Sequence, residues 1–208
     1  MRTSIYIDGF NLYHRCLKKT NYKWLNLQIL FRNILQDHDI DRIRYFTAHL
    51  KALSHDPDAP NRQKAYLTAL KTIPILTCHL GYFSQHQKTM PNASPPPTFV
   101  DVIKREEKGS DVNFSVHLLN DAWKDKYDCA IIVTQDHDMA ESLRLVRQQF
   151  PHKKLGLIIY DDNRKSAELR KYAHFTKKIT TDDLKNAQFP DSVKMANGKL
   201  ISKPKAWL

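Results

Sequence analysis

Tyr127 to Met139 read YDCAIIVTQDHDM, and this stretch decides the fold. Its run Cys129-Ala130-Ile131-Ile132-Val133 is apolar, β-branched and too short for a helix, which is the pattern of a central strand covered on both faces. Directly after it come Thr134, Asp136 and Asp138. Open α/β sheets bind their ligands in the crevice beyond the carboxyl ends of the strands, and these acids fall there. The competing reading is that Asp136 and Asp138 only cap the following helix, since Asp is favoured at helix N-termini.

The first strand repeats the arrangement. Thr3 to Ile7 is a short apolar segment that delivers Asp8, followed by Gly9-Phe10-Asn11 as a turn into a helix. Asn26 caps a second helix running through His38, with Leu27, Leu30, Phe31, Ile34 and Leu35 at helical spacing. Asp41 to Leu50 alternates as a strand, Asn61 to Ile73 is a helix stopped by Pro74, and Ile75 to Phe83 is a further strand. Ser84 to Thr98 carries Pro91, Pro95, Pro96 and Pro97 and reads as a mobile loop. After a short strand at Phe99 to Ile103, Gly109 breaks the chain and Ser110 caps a helix from Asp111 to Lys124. Val112, Val116, Leu119 and Trp123 mark the stripe expected to face the core. A helix through Met139, Leu143, Val146 and Phe150, a strand at Lys154 to Tyr160 and a short helix from Ser166 to Tyr172 follow. Strands alternating with helices predict a Rossmann-like, doubly wound, mainly parallel sheet with helices on both faces. The expected organisation is one domain over residues 1–184 with the Pro-rich loop at 84–98, then a basic, irregular tail over 185–208, holding five Lys against one Asp and ending near Trp207, an arm to dock on the domain or on a ligand.

The 208 residues contain 33 Lys and Arg against 22 Asp and Glu, a net charge of +11. Such an excess attracts polyanions, nucleic acid first, and says nothing about fold. Cys16, Cys78 and Cys129 are far apart, which supports neither a disulfide framework nor a Cys-based zinc site. No run is long enough to span a membrane and the N-terminus lacks a signal-peptide core, so the expectation is a soluble, cytoplasmic protein. A homodimer is left open.

If the strands ending in acids are neighbours, Asp8, Asp111, Asp136 and Asp138 meet at one edge of the sheet. Carboxylates crowded together raise one another's pKa unless a cation joins them. Hard oxygen ligands of this kind suit Mg²⁺ or Mn²⁺, which bind substrate phosphates and can polarise a phosphodiester. His137, between the acids, is a candidate ligand or proton carrier, but the segment is read as extended, which turns it away from its two acidic neighbours. The excess of Arg164, Lys165, Arg170, Lys171, Lys177 and Lys178 over Asp162 and Glu168 offers contacts to flanking phosphates, a solvated helix face being the alternative. Tyr13, Tyr22, Trp24 and Phe83 are candidates for stacking on unpaired bases, with core packing the competing role.

IYIDGFNLY, EEKGSDVNFSVHLLNDA, YDCAIIVTQDHDMAESLRLV and the later Lys165-Ser166-Ala167-Glu168-Leu169 together resemble the NYN domain, a branch of the PIN-like nuclease superfamily. The resemblance covers most of residues 3–180. It implies a metal-dependent ribonuclease acting on single-stranded or structured RNA, with Asp8, Asp111, Asp136 and Asp138 as ligands of Mg²⁺ or Mn²⁺. Asn11 and Thr134 then position substrate or water, and Lys108 and Gly109 match the turn that presents Asp111. Gln135 stands where the family frequently has a small residue and Met139 where it frequently has Phe. Relatives in the superfamily also serve as binding scaffolds, so a non-catalytic RNA-binding or assembly module is the alternative.

Overall fold

The computed structural model describes residues 1–96, 98–161 and 166–208. A seven-stranded sheet has the order β4-β3-β2-β1-β5-β6-β7. Its strands are β1 (Arg2–Asp8), β2 (Asp39–Ala48), β3 (Leu76–Pro91), β4 (Phe99–Lys108), β5 (Cys129–Val133), β6 (Lys154–Ile159) and β7 (Phe175–Lys178). All neighbours are parallel except β3 and β4, so the fold is the mainly parallel, Rossmann-like sheet expected. The apolar runs settle at its centre: β1 is buried from Thr3 onward and β5 throughout.

Alternation along these strands divides the core into two layers. Ile5, Ile7, Ile131 and Val133 point to one face, where they pack with α2 (Leu27–Ile34) and α3 (Ala59–Leu70). Tyr6, Ala130 and Ile132 point to the other, under α4 (Ser110–Trp123) and α5 (Ala140–Gln149). Three short helices complete the set: α1 (Gly9–Leu12), α6 (Ala167–Arg170) and α7 (Thr181–Asn186). Asn26 caps α2 as expected, its side chain accepting from the N–H groups of Gln28 and Ile29 at 3.0 and 3.1 Å.

Three features differ from the sequence reading. Ser84 to Pro91, the first part of the expected loop, is strand: β3 continues to Pro91, and β4 pairs with it residue for residue from Phe99 to Lys108. Residues 185–208 are not irregular throughout but carry a hairpin of β8 (Ser192–Lys194) and β9 (Leu200–Ser202), while Trp207 docks on the domain, against Trp24 and Tyr66 with ring centroids 6.3 and 6.2 Å away. On α4 the buried stripe is Phe114, Leu118 and Ala122, while Val112, Val116 and Trp123 are exposed.

The orientation of α4 is fixed by a polar contact. Asp121 is almost fully buried and accepts from Tyr6 Oη at 2.7 Å and from Arg44 Nε and Nη2 at 2.7 and 3.0 Å. Arg44 Nη1 lies 2.9 Å from His79 Nε2, and the His79 ring stacks on Phe46. Burial, the neighbouring His117 and Arg44 together push the His79 imidazole down to about 4, so this layer holds it neutral. Asp121→Ala would strand the guanidinium and the Tyr6 hydroxyl beneath the helix, at a cost of about 3–5 kcal/mol. Calorimetry should record a midpoint roughly 10 °C lower; a shift under about 2 °C would mean that the pair does not anchor α4.

Candidate acidic site

Asp8 is the last residue of β1 and the cap of α1, and it is nearly buried. Both oxygens are engaged: Oδ1 accepts from the Asn11 N–H at 2.9 Å and Oδ2 from Thr134 Oγ1 at 3.0 Å. Thr134 in turn accepts the Asp136 N–H at 3.1 Å, and Asn11 Oδ1 accepts the Gln135 N–H at 3.1 Å. The ends of β1 and β5 are thereby laced through side chains that the sequence marks as polar.

The next turn of chain is a 3₁₀ turn, His137–Met139, capped by Asp136 Oδ1 accepting from the Asp138 N–H at 3.1 Å. Capping and membership of an acidic cluster are therefore the same geometry. The turn also overturns the expectation for His137. In extended chain it would face away, but here its Nδ1 is 3.8 Å from Asp136 and its Nε2 is 3.3 Å from Asp138. Ligand atoms of Asp136, His137 and Asp138 all lie within 4.8 Å of one another.

Asp111 enters from α4. Gly109 occupies the left-handed region at φ 97°, which lets β4 turn directly into the helix. Ser110 opens α4 rather than capping it: Glu107 accepts from the Ser110 N–H at 3.2 Å and from its hydroxyl at 2.6 Å. Gly81 leaves room for this, because a Cβ there would come 2.3 Å from Glu107 Oε1 and 2.5 Å from the Lys108 carbonyl.

The electrostatics tie the acids together. Burial pushes Asp8 up to about 6, against the lowering effect of its two hydrogen bonds, and the charges of Asp111 and Asp136 push it in the same direction. Asp111 is also raised, first by burial, then by Asp136, Glu107 and Asp138. Among the described residues no Lys or Arg forms an ion pair with any of Asp8, Asp111, Asp136 or Asp138. A buried carboxylate that feels the charge of two others is costly without a counter-charge. A set of hard oxygen donors left in that condition fits a small divalent cation such as Mg²⁺ or Mn²⁺.

The remaining sequence candidates distribute differently. Lys108 lies at the end of β4 opposite Tyr82, half exposed, its Nζ 3.1 Å from Glu106. Arg164 and Lys165 lie outside the described residues. Trp24 is wholly in the core. Two contributors were missed. Glu107 sits in a charged run that gave no reason to single it out. Gln135 is buried and joins strand ends: its Nε2 donates to Asp161 Oδ1 at 2.8 Å and its Oε1 accepts the Tyr160 N–H at 3.1 Å.

Comparison with known proteins shows the family of the chain. The NYN domain family profile matches residues 2–187. The chain is 30% identical, over an alignment 238 positions long, to 6-hydroxy-3-succinoylpyridine 3-monooxygenase HspA of Pseudomonas putida (strain DSM 28022 / S16), covering 100% of this chain and 75% of that protein. Among solved structures it resembles a Vibrio parahaemolyticus RIMD 2210633 protein of unknown function with a TM-score of 0.57 and 17% identity, over 87% of this chain and 94% of the other. With a family match running nearly from end to end of the parallel sheet and through all four acids, the chain belongs to the NYN domain family of the PIN-like nuclease superfamily.

Proposed function

We propose that this protein is a divalent-metal-dependent ribonuclease whose Asp8, Asp111, Asp136 and Asp138 hold Mg²⁺ or Mn²⁺. The observation that carries the reading is Asp8, a buried carboxylate raised to about 6 with other carboxylates around it and no described basic side chain paired to it. Such a group is poised to release its proton to water when a cation takes its place. A bound ion of this class polarises a phosphoryl oxygen and makes bound water acidic enough to attack near neutral pH.

The chain's own residues supply position. Asn11 and Thr134 clamp Asp8 by both oxygens, so its carboxylate cannot rotate when charge arrives. Asp136, held as a cap, and the exposed Asp138 form the open side of the cup through which a phosphodiester can approach. The basic excess of the chain favours a polyanionic substrate, and RNA is the form the family points to.

A second reading has one observation in its favour, the likeness, over all of this chain and 75% of the other, to a protein named 6-hydroxy-3-succinoylpyridine 3-monooxygenase. The first βα turn argues the other way. It reads Asp8-Gly9-Phe10-Asn11, putting a buried carboxylate where a dinucleotide-binding fold presents glycines to pyrophosphate. Oxygen uptake with that pyridine and a reduced nicotinamide should not exceed the rate without the pyridine; uptake that depends on the pyridine would favour the monooxygenase.

On labelled RNA, Asp8→Asn and Asp136→Asn should each lower cleavage by at least about a hundredfold, the scale of several kcal/mol that metal-assisted charge stabilisation supplies. EDTA should stop cleavage and Mn²⁺ restore it. Parental rates in both variants would sink the proposal, and RNA binding in EDTA with no product in Mn²⁺ would leave a non-catalytic binding module.

The raised Asp8 also sets a pH dependence. Its folded value, about 6, lies above the ordinary 3.8, so in the metal-free protein its contribution to stability falls as pH rises from about 4 to about 6 and is lost above that. Metal binding should follow the opposite course, weakening as pH drops through about 6. Melting curves without metal should show Asp8→Asn more stable than the parent at pH 7 and the two converging toward pH 4. Parallel curves at every pH would show that Asp8 is not the titrating group.

A further inference from the structure

The rim of the acidic cup carries an aromatic ledge that metal binding does not explain. β3 pairs with β2 only from Leu76 to Gly81. From Tyr82 onward it pairs with β4 alone, ending with Pro91 opposite Phe99. Because β3 runs parallel to β2 and β2 to β1, this two-stranded ribbon leaves the sheet at the edge where Asp8 ends β1. Ten residues at about 3.3 Å each carry it roughly 30 Å beyond that edge.

Cross-strand partners share a face, so Phe83 stands with Glu107 and Gln85 with Arg105 on one side of the ribbon. At the ribbon's foot Phe83 meets Phe10 edge to face, with centroids 5.8 Å apart and planes at 84°. Phe10 is stacked with His14, 6.5 Å away and 23° from parallel, and His14 meets Tyr13 at 5.3 Å. Unlike Phe31, Phe46 and Phe114, which are fully buried, Phe10 and Phe83 are partly exposed and His14 is exposed.

The ledge adjoins the cup at two points. Phe10 lies between Gly9 and Asn11, two residues from Asp8, and Phe83 is opposite Glu107, whose charge acts on Asp111. His14 is presented by a π-helical turn, Tyr13–Leu17, a widened form that recurs at functional sites. Next along the ribbon, Arg105 Nε donates to Gln85 Oε1 at 2.9 Å, which orients the guanidinium.

We propose that Phe10, His14 and Phe83 form a stacking platform for an unpaired nucleotide beside the phosphodiester at the acids, with Arg105 and Gln85 guiding the strand along the ribbon. The assignment of the neighbouring phosphodiester rests on the hydrolytic reading. Rings braced by other rings give up little freedom on stacking, and every base offers a flat face, so the platform selects for single-strandedness rather than sequence. A base inside a duplex must first leave its stack to lie there. Positive charge on the guanidinium and over the whole chain complements a phosphate backbone.

The test is quenching of 2-aminopurine in a single-stranded oligoribonucleotide, titrated with the full chain in EDTA so that nothing is cut. The parent should quench the single strand and leave the same probe unchanged in a complete duplex. Phe83→Leu keeps the apolar bulk but not the ring; it should lose the quench and weaken single-strand binding about tenfold, within the range for one stacked base. Phe83→Trp should retain both. Phe10→Leu is the second variant should Phe83→Leu not melt like the parent. Parental quenching and affinity in both leucine variants, or equal losses on single strand and duplex, would overturn the platform. Since the readout needs no turnover, a chain that quenches without ever cutting overturns the hydrolytic reading and leaves the platform standing. One that cuts RNA while the leucine variants bind normally does the reverse.

Discussion

The carboxylate of Asp8 is the constraint on which the rest of this structure depends. It ends the buried central strand, caps the first helix and takes a hydrogen bond from Thr134 at the end of β5. From those contacts a chain of bonds continues through Asn11, Gln135 and Tyr160 to the end of β6. Three parallel strands are thus held in step at the edge where parallel α/β sheets place their chemistry. Desolvating the carboxylate works against its ionisation, and the two donated hydrogen bonds offset only part of that. The fold holds an acid in a state that a cation would relieve.

The acids on the rim differ from Asp8 in kind. Asp136 and Asp138 belong to one short turn and move with it, whereas Asp111 is borne by a helix anchored far from the cup through Asp121 and Arg44. Placing that anchor under the helix requires a buried ion pair, which seldom adds net stability but penalises any other seating. One end of α4 is thus fixed by charge in the core and the other by the Glu107 contacts to Ser110.

The parallel sheet was legible because it rests on short-range signals, apolar β-branched runs, one closing on Asp8 and another followed three residues later by Asp136. What escaped notice had two meanings in one dimension. Helix α4 carries two apolar stripes, Val112, Val116, Leu119 and Trp123 on one side and Phe114, Leu118 and Ala122 on another. Asp121 sits with the second, so the face that is buried looked the more polar, and only the partner on β2 resolves the choice. The ribbon was hidden for the opposite reason. Its strands cover little of either face, so Ser84 to Thr89 shows no apolar alternation, and Pro91, which helped suggest a loop, is the last residue of the strand. His137 was misjudged because a cap and a 3₁₀ turn replaced the extended segment assumed for it.

Gly81 marks where β3 parts from β2, and its bare Cα has a consequence for the molecule as a whole. The returning strand crosses so near that even a methyl group would collide with the Glu107 carboxylate and the Lys108 backbone. Ribbon, glycine hinge and the first turn of α4 are therefore dimensioned by a single hydrogen atom. A side chain at this joint would press on Glu107, whose carboxylate holds Ser110 at the start of α4, so the seat of the ribbon and the turn that carries Asp111 share one point of contact.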